Sequence, residues 1–317
     1  MPTVRLFKVG ADPEFGFLNS SGDLVEASSV ITMVRSKFGL DGCAAIAEMR
    51  PDPSINPSQV VRNLYNDLLN GYYLNPKTRD LYWKAGSVLE DSCDIYATGG
   101  HIHFGIHNSV PRRHYGNRLD YYKKLTKYLD TYLAQTVRLL ETPKQLGGRI
   151  DGEYGQLGDQ RENSHGVEYR VLGSWLTSPR IAEGVLCLAQ TIAYQHMWLT
   201  VNRKDINLDR LSPEEEADEY GEGSEYSDAV PDYIRDYRKK FNTLSSHIRK
   251  FQLYKKHELP IEFVLKLVEK RKTWYPGEGV DMKQAWGIAP AAIIPPRSAG
   301  KVLPVVKYDD IWKRARN

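Results

Sequence analysis

The sequence predicts an α+β fold, with a mostly antiparallel sheet and helices packed on one face. Three observations predict it. Strand-like and helix-like segments interleave without the regular strand–helix–strand pulse of a parallel sheet. Four strand segments each carry two polar or charged residues at i and i+2, which strand geometry places on one face. Several longer segments place apolar residues three and four apart, as an amphipathic helix does.

The elements follow in order. Thr3 to Phe17 reads as a strand with a turn near Pro13, and Leu24 to Ala27 as a second strand after the turn 19–22. Asp41-Gly42 is a turn signal, and Cys43 to Arg50 a strand. In INPSQVVRNLYNDLLNGYY, Asn56 caps a helix, Pro57 suits its first turn and Gly71 stops it. Ile95 to Gly105 is the next strand. Asn117 to Glu141 is a long helix that Pro143 ends. Gly147 to Ser164 is a polar loop, Gly166 to Leu172 a strand and Ile181 to Thr200 a buried helix. Asp205 to Asp232 holds eleven acidic residues against the single base Arg210 and reads as a solvated lid or insertion. Helices are expected at Tyr233 to Lys250 and Pro260 to Lys272. Residues 290–317, with four prolines, read as an extended wrap on a single catalytic domain spanning 1–317.

Chain-wide features narrow the class. Net charge is +3 from 43 basic and 40 acidic side chains, which gives little support to a nucleic-acid partner. The three cysteines, Cys43, Cys93 and Cys187, are too few and too scattered for a disulfide framework or a cysteine zinc site. The start lacks the apolar run of a signal peptide, and no uncharged apolar run reaches membrane-spanning length. A cytoplasmic protein without a membrane partner is expected; the sequence leaves its oligomeric state open.

The strongest signal is the set of polar pairs: Asp12 with Glu14, Glu48 with Arg50, His101 with His103, and Glu168 with Arg170. If these strands share one sheet, one face carries carboxylates, imidazoles and guanidiniums. The other takes Phe15, Phe17, Ala47, Met49, Ile102, Phe104, Val167, Tyr169 and Val171. Burying several unpaired charges costs more than a fold recovers, so the polar face must be wet, metal-bound or filled by a ligand. Carboxylates with an imidazole suit hard divalent cations, magnesium above all, with manganese as a substitute. Arginines add bidentate contacts to phosphate or carboxylate oxygens. Taken singly, each pair also has an ordinary reading as surface groups. The stretch GGRIDGEYGQLGDQRENSHG adds six glycines and two arginines in twenty residues, and Arg149 and Arg161 can reach phosphates from it. It is neither a P-loop nor a dinucleotide fingerprint. His165 reads as an ordinary loop histidine, His196 as a packed core residue and Cys43 as a buried strand cysteine.

GADPEFGF, DGCAAIAEMRP, GGHIHFG and RIDGEYGQLGDQRENSHGVEYRVLGSW, taken in order, resemble the phage-type COOH-NH2 ligases of the amidoligase group. Their catalytic fold resembles that of glutamine synthetase and glutamate–cysteine ligase. The resemblance covers residues 8 to 176. It implies a curved antiparallel sheet forming a funnel, with ATP entering at one end and two or three divalent ions between nucleotide and substrate. By that resemblance, metal ligands fall on Asp12, Glu14, Glu48, Glu168 and one of the histidines, with His103 assigned. Nucleotide contacts fall on His101, His103, Tyr154, Gly155, Arg161 and Arg170, to which the reading of the loop itself adds Arg149, and Gly158 also matches the loop. Arg170, Arg161, Glu48 and Arg50 would be the catalytic set. The run Gly158-Asp159-Gln160-Arg161 departs from the G-x-Y-R form frequent in the family.

The implied reaction is ATP-dependent amide formation through an acyl phosphate, between a carboxylate-bearing acceptor and an amine-bearing donor such as an amino acid, peptide or protein group. Three alternatives stand beside it. A guanidine or amine kinase would stop at phosphotransfer. A metal-dependent hydrolase would need metal but no nucleotide. A non-catalytic binding module would use the tyrosines and the basic segments 235–240 and 266–272.

Overall fold

The computed structural model describes residues 5–32, 36–42, 44–90, 95–107, 109–151, 154–204, 208, 211–213, 232–274 and 281–289. Cys43, Cys93, most of the acidic stretch 205–232 and the whole of 290–317 lie outside the described residues.

The strands are β1 (Lys8–Leu18), β2 (Leu24–Val25), β3 (Phe38–Leu40), β4 (Ala47–Met49), β5 (Tyr82–Lys84), β6 (Val88–Glu90), β7 (Ile95–Ala97), β8 (Gly100–Gly105), β9 (Gln160–Asn163) and β10 (Gly166–Tyr169). The helices are α1 (Ala27–Val30), α2 (Pro57–Leu74), α3 (Ser109–Tyr115), α4 (Arg118–Leu129), α5 (Gln135–Arg138), α6 (Pro143–Asp151), α7 (Pro179–Val201), α8 (Asp232–Ile248), α9 (Glu258–Glu269) and α10 (Met282–Ala285).

The main sheet is open and antiparallel, in the order β3-β4-β1-β8-β10-β9, so the α+β class expected from the sequence is the class observed. β1 is the hub. Its first half pairs with β8, Glu14 and Phe15 pair with β4, and its end pairs with β2 and β5. β6 and β7 form a separate hairpin. One face of the sheet is apolar: Val9, Phe15, Phe17, Ala47, Met49, Ile102, Phe104, Val167 and Tyr169 are all buried. α2, α4 and α7 pack on that side. Burial of each large apolar side chain there stabilises the fold by roughly 2–3 kcal/mol, which anchors the strands that carry the polar face.

Several helix ends carry side-chain caps, that at Asn56 as the sequence foretells. Asn56 accepts from the Ser58 amide, Asn117 from Asp120 and Ser178 from Ile181. Others differ. Gly71 does not stop α2, which continues to Leu74. A Cβ there would stand 2.1 Å from the Phe38 ring, so the glycine lets helix and strand approach. The strand expected over 95–105 divides at Thr98-Gly99 into β7 and β8. Pro143 opens α6 instead of merely ending the preceding helix, and α6 takes the first part of the expected 147–164 loop. The long helix is not uniform either, because a π turn at Asp130–Ala134 joins α4 to α5. Among the described residues, no helix is long and apolar enough to cross a membrane.

Candidate active site

The strand register gathers the polar pairs. Asp12 stands opposite His101, Glu14 opposite Glu48, and Glu168 opposite both His103 and Arg161. Directly opposed residues share a face, so four strands and the β9 edge project these groups from one side of the sheet.

The two glycines of GGHIHFG have separate packing reasons. A Cβ on Gly99 would lie 2.4 Å from His101 Nε2, so its absence lets the imidazole fold back over the chain. A Cβ on Gly100 would strike the Gly173 carbonyl and the Trp175 ring. The Gly99 amide also donates to Glu14 Oε2 at 2.6 Å, which fixes that carboxylate.

His101 Nδ1 then faces three carboxylates: Glu168 Oε1 at 3.6 Å, Asp12 Oδ1 at 3.7 Å and Glu14 Oε1 at 4.0 Å. These separations are too long for hydrogen bonds. They are close to those between donor atoms around a small divalent cation, roughly 3.0–3.5 Å for bonds near 2.1 Å. Asp12 Oδ1 and Glu168 Oε1 are buried with no hydrogen-bond partner. Asp12, His103 and Glu168 also each offer a ligand atom within 4.8 Å of the others. The donor set therefore fits one or more hard cations. Glu48 lies outside that group. It is buried, and it is ion-paired to Arg50.

Titration follows from this crowding. Burial, then the Asp41 carboxylate, pushes Glu14 up to about 8 against the pull of the Gly99 amide and Arg149. Burial drives His101 down to about 3, despite Asp12, so the ring is neutral and able to donate a lone pair. Burial works against the Asp12–His103 pair, but their hydrogen bond at 3.0 Å prevails; Asp12 is lowered and His103 raised. Without a cation, His103 thus serves as the counter-ion of Asp12.

The arginines divide into two kinds. Arg161 is mostly exposed and grips Glu168 Oε2 through Nε at 2.8 Å and Nη2 at 2.7 Å. Arg170 places Nε 3.3 Å from Glu168 Oε1 and Nη1 3.7 Å from Asp159. Both stand at the polar face. Arg149 does not. It lies buried on α6 and donates to the carbonyls of Thr98 at 2.7 Å and Arg170 at 3.2 Å. A helix, not the expected loop, carries it, and turns its guanidinium inward to backbone carbonyls. Arg50 is likewise engaged, with Glu48 and with the Leu40 carbonyl at 2.6 Å. Tyr154 is about half exposed. Gly155 has φ +74, and a Cβ there would meet Arg149 Nε at 2.6 Å. That glycine is required by packing within the protein.

Several residues that shape the site carry no motif. Asp130, in the π turn, accepts from the Gly158 amide at 3.0 Å and from the Tyr169 hydroxyl at 2.7 Å. Arg138 holds the Gly155 carbonyl. Only the placement of Asp130 within a long amphipathic helix, as a charge on its buried side, hinted at such a role. The His165 ring lies 5.6 Å from that of His103, tilted by 38°, closer to the site than a generic loop histidine. His196 is buried against the rings of Tyr121 and Tyr128, as expected for a core residue.

No curated protein matches the sequence. Among solved structures, a bifunctional glutathione synthetase from Pasteurella multocida is similar at 12% identity and a TM-score of 0.47, over 84% of this chain and 47% of that one. The chain thus spans about half the length of that protein. Apo GmaS without ligand is similar at 10% identity and a TM-score of 0.49, over 84% of this chain and 68% of that one. The family model described as phage phiEco32-like COOH.NH2 ligase-type 2 matches residues 9–288, which include every described strand but the first residue of β1, and the chain belongs to this family of carbon–nitrogen ligases.

Proposed function

We propose that this chain is an ATP-dependent carboxylate–amine ligase that forms an amide through an acyl phosphate. The observation that carries the reading is the polar face itself. Three carboxylates converge on the neutral His101 nitrogen, and two of their oxygens are buried without a hydrogen bond, with the Arg170 guanidinium 3.3 Å from one of them. Such an arrangement is costly unless a cation completes it.

Asp12, Glu14, Glu168 and His101 or His103 would hold magnesium, with Glu48 behind Glu14. The ions, when bound, would neutralise and polarise phosphate oxygens. The two donor groups share Asp12 and Glu168, which supports neighbouring ion positions. In the reaction, a substrate carboxylate oxygen bonds to the terminal phosphorus of ATP and the bond to ADP breaks. The amine nitrogen then bonds to the acyl carbon, phosphate leaves, and the amine proton passes to solvent or base. Arg161 and Arg170 would orient the transferring phosphoryl group and offset its charge from the β9–β10 edge. Protein groups supply position and charge here; none forms a covalent bond.

The test is a magnesium-dependent ATPase screen against paired pools of carboxylates and amines, read by mass spectrometry. ATP consumption that needs both pools, with a product equal to acid plus amine minus water, supports ligation. A stable phosphorylated product with one pool alone would replace ligation by phosphotransfer. No nucleotide use under any pairing, with intact metal binding, would contradict the proposal.

A further inference from the structure

The π turn in the long helix does more than fill the core. A π turn inserts a residue into the helical ladder and recurs at functional sites. Here hydroxyls and an amide reinforce it: Thr131 donates to the Lys127 carbonyl at 2.8 Å, Thr136 to Tyr132 at 2.7 Å, and Gln135 to Thr131 at 3.0 Å. The turn carries Asp130, a carboxylate only 7% exposed beneath the apolar face of the sheet. Its two oxygens reach different elements. Oδ1 accepts from the hydroxyl of Tyr169, which lies between Glu168 and Arg170 in sequence. Oδ2 accepts from the amide of Gly158, at φ +87, two residues before β9.

One carboxylate therefore ties together both limbs of the β9–β10 hairpin at its open end. Beside it, the Arg170 amide donates to the Asp159 carbonyl at 3.1 Å, and Thr126 from α4 donates to Gln160 at 2.9 Å. That end of the hairpin sets where Arg161 and Arg170 stand relative to Glu168 and to the carboxylates on β1. A Cβ built on Gly158 meets nothing within 4 Å, so the loop backbone is open on that side while Asp130 holds it from the other.

We propose that Asp130 is a positioning residue for nucleotide binding, acting through Gly158 and Tyr169 to hold Arg161 of β9 and Arg170, just after β10, in register. This rests on the ligase reading above. Asp130 bonds Tyr169 from the apolar side of the sheet, opposite the face that carries Glu168. Its effect should fall first on phosphate recognition: the cation donors of β1 and β8 are not in contact with it, and Glu168 is reached only through Tyr169, whose strand stays paired to β8.

Two variants separate its bonds. Asp130→Asn removes the charge and leaves one acceptor oxygen, so the Gly158 amide and the Tyr169 hydroxyl can no longer both donate to it; one of the two faces the new NH2 group, and the hydroxyl then has to reverse its bond. Tyr169→Phe removes only the 2.7 Å bond. Affinity for magnesium with AMP-PNP is measured by calorimetry, manganese alone by electron paramagnetic resonance, and Tm alongside. The expected result for Asp130→Asn is at least about a tenfold loss of nucleotide affinity, with manganese affinity within about threefold of wild type. Unchanged nucleotide affinity with a lowered Tm would overturn the positioning role and leave Asp130 purely structural. Equal losses for both ligands would overturn it too. Wild-type protein that binds no nucleotide would overturn the ligase reading and this inference with it, a result distinct from wild-type and Asp130→Asn proteins binding alike. If Asp130→Asn does not fold, Tyr169→Phe decides: a loss of about threefold or more supports the clamp, and equal affinity overturns it.

Discussion

Cation binding should release protons, and Glu14 fixes how many. With no cation present, burial and neighbouring carboxylates push Glu14 up to about 8. At pH 7 it is then about 90% protonated. A divalent ion bound between Asp12, Glu14 and Glu168 requires the carboxylate form, so binding expels about 0.9 proton from Glu14. His103 adds to that count if its ring changes from counter-ion to ligand, because, against burial, its pairing with Asp12 raises it and favours the protonated form. The sign follows directly: protons compete with the ion, so affinity rises with pH below about 8, by up to about tenfold per unit from Glu14 alone, and flattens above. Calorimetry with manganese or magnesium in two buffers of different ionisation enthalpy counts the protons. Glu14→Gln should lower the count by about 0.9 and flatten the slope while leaving weaker binding through the other donors. Equal proton release in wild type and Glu14→Gln would refute this account of the site. So would affinity that does not change between pH 6 and 8.

Three more outcomes are expected. Arg170→Lys keeps the charge but loses the planar fork beside Glu168 and Asp159; turnover should fall about tenfold or more with Tm nearly unchanged, and wild-type turnover would make Arg170 a structural partner only. Glu183 is buried on α7 and raised to about 7 mainly by desolvation, so the native state binds its proton more tightly than the unfolded chain. Its contribution is full below about pH 4.5 and lost as pH rises through 7, up to about 3 kcal/mol; denaturant titrations should show that slope in wild type and not in Glu183→Gln. At Gly166, with φ +153, a Cβ would meet the Phe104 carbonyl at 1.9 Å, so Gly166→Ala should destabilise by a few kcal/mol and weaken cation binding by shifting β10 against β8. Unchanged stability in that variant would show that the backbone relaxes there at no cost.

The period of two in a strand is what made the polar face legible. Asp12 and Glu14, or His101 and His103, share a side whatever the rest of the chain does, and the apolar residues between them face the core. Helix caps such as Asn56 were legible for the same reason, since the signal is local. Arg149 was not. Glycines around it suggested a loop, whereas Pro143 starts a helix that turns the guanidinium inward to backbone carbonyls. Gly71 misled in the opposite way, because its need is contact with Phe38, a residue 33 positions away. The Asp130 clamp joins groups 28 and 39 positions apart through single hydrogen bonds, and no local periodicity encodes such a pairing.

The central claim is that a carboxylate is activated by phosphorylation and then captured by an amine. Once the paired-pool screen yields a competent pair, the acid labelled with 18O in its carboxylate tests this directly. Mass spectrometry of the released phosphate should find one 18O atom per turnover, carried over from the carboxylate, with the other retained in the amide. Phosphate free of label, with the second 18O found in AMP or in water instead, would contradict activation through an acyl phosphate.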